Sequence, residues 1–206
     1  MDGNVSKVEP ANADALVGDP PGDRIRALKS ENDALRRENR VLKIAVAELE
    51  RVSERDTLTP LYNRRYFITA IHQRMARVQR YGETTAIVYC DVNQLKAIND
   101  AWGHAGGDFA LIEVARRLTA AIRTSDVAAR IGGDEFGLIL DHVSEADARE
   151  QMQRLSESVA AEPALFDGNL IPLRAAFGLA MLADEQSEEA LLARADADMY
   201  AAKQAG

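Results

Sequence analysis

Residues 130–136 read Arg-Ile-Gly-Gly-Asp-Glu-Phe, two glycines followed by two acids where one short apolar run ends and another begins. Val127 to Ile131 and Glu135 to Asp141 read as strands, so the letters between them describe a tight turn. Gly132 and Gly133 are expected to take positive φ there and to leave room for a bulky anionic ligand against the backbone. Asp134 and Glu135 then stand at the tip of a hairpin, where crowded carboxylates are most readily held ionised by a divalent cation. Asp91 ends another β-branched apolar run, Thr85 to Cys90, and its carboxylate could converge with that of Asp134. Hard oxygen ligands with open positions suit Mg²⁺, which takes one or two protein carboxylates and fills its remaining positions from water and phosphates. Each feature also has a plainer reading. Gly-Gly-Asp-Glu can be an ordinary hairpin turn with solvated acids, and Asp91 can cap the helical turn that follows it.

More of the sequence bears on the choice. Asp91 to Asp108 reads DVNQLKAINDAWGHAGGD, Asp56 to Phe67 reads DTLTPLYNRRYF, and Ala195 to Lys203 reads ADADMYAAK. Taken in order with the Gly-Gly-Asp-Glu-Phe run, these segments resemble the GGDEF family of diguanylate cyclases from about Asp56 to the chain end. The resemblance implies a ferredoxin-like, nucleotidyl-cyclase-type α+β fold, and condensation of two GTP into cyclic di-GMP with release of two pyrophosphates. It also implies two Mg²⁺ per active site, with Mn²⁺ as a substitute, held by Asp91, the Val92 carbonyl, Asp134 and Glu135. Two such ions would activate a 3′-hydroxyl and neutralise the departing pyrophosphate. Asp134 is the candidate for deprotonating the hydroxyl, and Glu135 is placed beside it as catalytic.

The same resemblance assigns substrate contacts. Asn99 and Asp108 match the guanine-binding pair: a carboxylate accepts from N1–H and the 2-amino group, and an amide both donates and accepts. Gly103, Gly106 and Gly107 are expected to let a loop turn between them. His104 matches a third contact, although a histidine bridging loop carbonyls is an equal reading. Gly132 and Gly133 complete the cradle, and Lys96 and Lys203 are candidates for the triphosphate. Arg123-Thr-Ser-Asp126 resembles an RxxD product-inhibition site, with Arg154 as its second arginine; an arginine forks onto guanine's Hoogsteen edge or a phosphate. Without the neighbouring motif, Arg123 and Asp126 would read as a surface pair at a helix end. Asn93 and Leu95 replace a usual Asp and Phe, and Pro60 a usual Gly, which bears on rate. Family members continue past the equivalent of Gly206 with an Arg-Asn pair, so a phosphate-contacting Arg is expected to be lacking.

Composition agrees with an enzyme of this kind. The 206 residues suffice for one domain and an appendage, and 47% hydrophobic content supplies a core. A formal net charge of −8 argues against a nucleic-acid-binding surface. No apolar run reaches membrane-spanning length and the N-terminus lacks a signal-peptide core, so no membrane contact and a cytoplasmic location are expected. The single cysteine, Cys90, reads as a small core residue.

The chain divides into three. Residues 1–23 are rich in Pro, Gly, Asp and Ala without periodicity and read as a disordered arm. In residues 24–55, Leu28, Leu35, Leu42 and Leu49 recur at heptad d positions, with Ile25, Asn32, Asn39 and Val46 at a. Those choices favour a parallel two-stranded coiled coil, and Glu31–Arg36 and Glu38–Lys43 make attractive g-to-e pairs across a homodimer. A single amphipathic helix packed on its own domain is the alternative. Residues 56–206 form the α+β domain: helix Arg64 to Arg80, strand Thr85 to Asp91, a helical turn Gln94 to Asp100, and helix Gly107 to Arg123. Strands Val127 to Ile131 and Glu135 to Asp141 follow, then helix Glu145 to Ala160, a strand from Leu173 to Ala180, and helix Ser187 to Ala205. The rival to a cyclase, from another class, is a non-catalytic GTP or cyclic di-GMP binding module that signals through the coiled coil.

Overall fold

The computed structural model describes residues 21–183 and 187–205, so most of the expected N-terminal arm lies outside the described residues. The first element is α1 (Pro21–Glu54), a single 34-residue helix. Its heptad residues Ile25, Leu28, Leu35, Leu42 and Leu49 are all more than half exposed and form an apolar stripe along the helix. The side chain of Val46 lies outside the described residues.

The remaining elements are β1 (Tyr62–Asn63), α2 (Arg64–Tyr81), β2 (Thr85–Val92), α3 (Leu95–Ala121), β3 (Val127–Arg130), β4 (Glu135–Asp141), α4 (Glu145–Ala160), β5 (Ala164–Phe166), β6 (Asn169–Ile171), β7 (Ala175–Met181) and α5 (Glu188–Ala205). Five strands form one sheet in the order β1-β3-β4-β2-β7, antiparallel except for the short β1–β3 pair. Helices cover both faces of this sheet, an α+β sandwich as expected.

Period-two alternation in β2 explains the layering. Ala86, Val88, Cys90 and Val92 join the core built with α3 and α4, and Ile87 joins a second core built with α2 and α5. Cys90 is fully buried in the first of these cores. Local chemistry sets the helix ends: the Asn63 side chain accepts from the Tyr66 N–H, and Gly82 closes α2 in the left-handed region at φ 65°. On the outer edge of the sheet, Asp198 Oδ2 accepts the Leu179 N–H at 2.8 Å, which fills an edge donor from α5. Gly178 lets this happen, because a Cβ there would run into the main chain of α5 at Ala195 and Met199.

Three features depart from the sequence expectations. The helical turn from Gln94 and the helix expected from Gly107 are two helices that meet at Gly103, where φ 69° and ψ 177° fall outside helical values, so the second begins earlier than expected; together they are labelled α3. Gly106 and Gly107 therefore sit in a helix and not in a turning loop; their missing Cβ atoms make room for Trp102 and Asn99. The β5–β6 hairpin was not expected. Its strands have three residues each, although the Asp167-Gly168 turn with positive φ at both residues is a recognisable hairpin signal. No helix among the described residues is long and apolar enough to cross a membrane.

Candidate active site

The turn between β3 and β4 is as tight as its letters suggest: the N–H groups of Ile131 and Gly132 both donate to the Glu135 carbonyl oxygen, at 2.9 and 3.2 Å. Of the two expected reasons for its glycines, the left-handed backbone does not hold. Neither Gly132 nor Gly133 has positive φ. Gly132 is needed because the Glu135 carboxylate folds back over it, and Gly133 faces open space where a ligand could approach the backbone.

Strand pairing brings Asp91 to this turn. Asp91 and Glu135 are Cα partners in the β2–β4 ladder, so side chains of both leave the same face of the sheet. One residue further, the Val92 N–H donates to the Asp134 carbonyl oxygen at 3.0 Å, which ties the end of β2 to the turn. The residue directly opposite Asp91 is thus Glu135, with Asp134 just beyond the ladder. All three acids are partly exposed. Tyr89, two residues before Asp91 on the same face, has its phenol pushed up by burial and then by Glu135, to which its hydroxyl hydrogen-bonds.

An arginine holds the turn from behind. Arg130 donates to the Gly133 carbonyl through Nε at 3.2 Å and Nη2 at 2.6 Å, and its Nη1 lies 3.4 Å from Asp56 Oδ1. Asp56 also accepts from the Thr59 N–H and hydroxyl, each at 2.8 Å. Burial acts to raise the Asp56 carboxyl, but the Thr59 bonds and Arg130 together outweigh it and hold it below its ordinary value. Arg64 adds a second grip on the hairpin, from Nη1 to the Ile131 carbonyl at 3.3 Å. Neither arginine was singled out from the sequence. The signal was present in Arg130 standing next to the turn and in the Asp-x-x-Thr spacing of an Asx-type turn at Asp56.

The other expected site residues fall on α3, α4 and α5, except Arg123 and Asp126, which lie in the connection between α3 and β3. Lys96 and Asn99 lie before the break at Gly103, and His104 and Asp108 after it. Asn99 folds its amide across the break against Gly107, which sets it beside Asp108 in space. His104, Asp108 and Lys96 are exposed. The side chain of Lys203 lies outside the described residues. Arg123, Asp126 and Arg154 line one cavity of about 120 Å³ together with His142, Asp147 and Gln151. Asp126 Oδ2 accepts the Arg123 N–H at 3.0 Å, which shapes that corner.

The oxygen donors fit a divalent ion. Among the described residues no three His, Cys, Asp or Glu side chains already converge as an ion cage. Two carboxylates opposed across a ladder, a third beside them and the main chain at Val92 nevertheless make a hard, open donor set. That is the set Mg²⁺ uses when phosphates supply the remaining ligands.

The family model for the diguanylate cyclase GGDEF domain matches residues 53–206. The chain belongs to the GGDEF family. MucR of Pseudomonas aeruginosa, a bifunctional diguanylate cyclase and cyclic di-GMP phosphodiesterase, is 36% identical over 160 residues, covering 77% of this chain and 23% of MucR. Diguanylate cyclase A of Treponema denticola is 32% identical over 164 residues, covering 78% of this chain and 44% of that protein. The GGDEF domain of DgcB from Caulobacter crescentus, solved in complex with c-di-GMP, superposes with a TM-score of 0.70 at 26% identity, covering 74% of this chain and 91% of that one. The chain spans less than half the length of the curated relatives it matches. Within the GGDEF domain, Asp91, Asn99, Asp108 and Asp134 fall at the end of β2, on α3 and in the β3–β4 turn.

Proposed function

We propose that this protein is a diguanylate cyclase that joins two GTP molecules into cyclic di-GMP. The observation that carries the reading is the register of Asp91 against Glu135, beside a glycine turn held by Arg130, within a GGDEF domain. Asp91, Asp134, Glu135 and the Val92 carbonyl would hold two Mg²⁺, or Mn²⁺ in their place. When bound, such ions lower the pKa of a coordinated hydroxyl and neutralise phosphate charge. Asp108 and Asn99 read the guanine edge, with His104 at the rim, and Lys96 and Lys203 attract the triphosphate. The open backbone at Gly133, with Gly132 beside it, lets the phosphates come close.

Each 3′-oxygen attacks the α-phosphorus of the other GTP while the Asp134 carboxylate takes the hydroxyl proton. A new phosphodiester bond forms as the bond to pyrophosphate breaks, twice per product. Two domains must therefore face each other. Pairing of α1 through Leu28, Leu35, Leu42 and Leu49 as a parallel coiled coil would hold them at high effective concentration. Arg123, Asp126 and Arg154 offer guanidinium and carboxylate groups to a guanine edge or phosphate of the product, as an inhibitory site.

Incubation of purified protein with GTP and Mg²⁺, followed by chromatographic separation, tests the reaction. Cyclic di-GMP is the expected product; nucleotide that is bound and recovered unchanged would instead support a non-catalytic binding module. Progress curves should bend as product accumulates, and Arg123→Ala should straighten them. Equal bending in that variant would remove the inhibitory reading.

A further inference from the structure

A recess of about 360 Å³ lies on the side of α3 away from Lys96 and Asn99, between the half-helix that precedes Gly103 and the segment leading into β7. Ala97 and Ala101 make a flat floor, one helical turn apart. Trp102 and Arg174 also line it, with Asn93 and Gln94. Its volume is in the lower part of the ~300–1,000 Å³ range of small-molecule sites, and apolar walls with a few polar groups are the usual lining of such sites.

The polar groups around the recess are unspent. Among the described residues no hydrogen bond or ion pair engages the Arg174 guanidinium, the Trp102 indole N–H, or the side-chain amides of Asn93 and Gln94. Arg74, Arg77, Arg116, Arg117, Arg130, Arg149 and Arg154 pair with carboxylates, whereas Arg174 does not. In a chain of net charge −8, an arginine left without an acid beside an indole is a place for an anion from outside. The side-chain donors outnumber the acceptors, and two alanines keep this part of the lining small enough to receive a ring. The main chain of Arg174 is anchored, since its carbonyl accepts the Asn93 N–H at 2.9 Å, so the rim has a fixed base.

We propose that this recess is a binding site for a planar aromatic carboxylate, whose ring lies over Ala97 and Ala101 against Trp102 and whose carboxylate is taken by Arg174. The site is separate from the carboxylates Asp91, Asp134 and Glu135 and from the Arg123 cavity, and its occupancy needs neither GTP nor turnover. An occupied recess would brace the half-helix that carries Asn99 on its other side.

Trp102 is the single tryptophan of the chain, so its emission reports the site directly. The full chain is titrated with trans-cinnamate, and in parallel with cinnamyl alcohol, which has the same ring and no charge. Cinnamate should shift Trp102 emission saturably at or below ~5 mM, and the alcohol should bind at least ~10-fold more weakly. Arg174→Gln should weaken cinnamate ~10-fold and leave the alcohol unchanged, because the exposed guanidinium holds no part of the fold. Ala101→Phe, which fills the floor from an exposed position, should abolish both responses. Equal affinity for acid and alcohol, full cinnamate affinity in Arg174→Gln, or no saturable response from wild type overturns the proposal. Because the readout is binding in the absence of nucleotide, these outcomes stand apart from the success or failure of the cyclase assay.

Discussion

Arg130 reaches Asp56 Oδ1 with one guanidinium nitrogen at 3.4 Å while another holds the Gly133 carbonyl at 2.6 Å. Asp56, in the segment before β1, is thereby connected, through a single planar side chain, to the tip of the acidic turn. A guanidinium can do this because its donors point in fixed divergent directions, which a lysine cannot reproduce.

Arg130→Lys should therefore fold but turn over GTP about 10-fold more slowly, and Arg130→Ala should also lose roughly 1–3 kcal/mol of stability by freeing a partly buried carboxylate and a turn carbonyl. Urea unfolding beside the GTP assay separates the two effects. A folded Arg130→Ala variant with unchanged kcat would show that the turn needs no support from behind.

Asp134→Asn should abolish cyclic di-GMP formation while GTP binding persists. The substitution preserves size and removes the charge that matters most as the hydroxyl proton departs. Equilibrium dialysis with GTP provides the binding measurement, and turnover at the wild-type rate would exclude Asp134 from the chemistry.

Two glycine substitutions should separate packing from function. At Gly178 a Cβ would meet the main chain of α5, which cannot move aside, so Gly178→Ala should cost about 3 kcal/mol or more. At Gly107 the obstacle is the end of the Asn99 side chain, which can swing away, and alanine is favoured in a helix by up to ~1 kcal/mol. Gly107→Ala should keep its melting temperature and lose about 10-fold in GTP affinity. Retained GTP affinity would separate Asn99 from guanine recognition.

Glu113 links acid stability to one helix pair. Its carboxyl sits at about 2, held down first by its hydrogen bond to Arg116 and also by Arg117, against the opposing effect of burial. Arg117 in turn donates to the Val159 and Glu162 carbonyls, so α3 is tied to the end of α4. With the folded pKa below the ordinary 4.5, the unfolded chain binds more protons, and the contribution is complete above pH 4.5 and lost as pH falls toward about 2. Glu113→Gln should lose roughly 1–2 kcal/mol at neutral pH and show a shallower acid limb. Parallel stability–pH curves for variant and wild type in that window would contradict the assignment.

Removal of residues 1–49 should leave a folded monomer whose specific activity falls steeply on dilution, because both buried cores are built from residues beyond this segment. Leu35→Asp with Leu42→Asp should act likewise by placing charge on the exposed apolar stripe. Light scattering measures the association directly. A shortened chain that stays dimeric and equally active when dilute would assign α1 a task other than pairing.

Much of the α+β domain could be read from the chain because local signals agreed with one another. The apolar run ending at Asp91, the Gly-Gly-Asp-Glu turn, and the helix from Glu145 to Ala160 have periodicities and caps that neighbouring residues alone specify. The heptad leucines likewise identified a long helix with one apolar stripe. Tertiary structure decided what those signals could not encode. It set Glu135, and not Asp134, opposite Asp91, since ladder register depends on the packing of two separate strands. It gave Gly107 and Gly178 their purposes, dictated by the Asn99 side chain across the break in α3 and by the main chain of α5. It also joined Asp56 to Arg130 across 74 positions, and brought Arg174 to Trp102 across a cleft whose walls come from segments far apart in the chain. Short-range periodicity determines which elements form; contacts between residues remote in sequence arise only when those elements pack, so the site's geometry had to come from the fold.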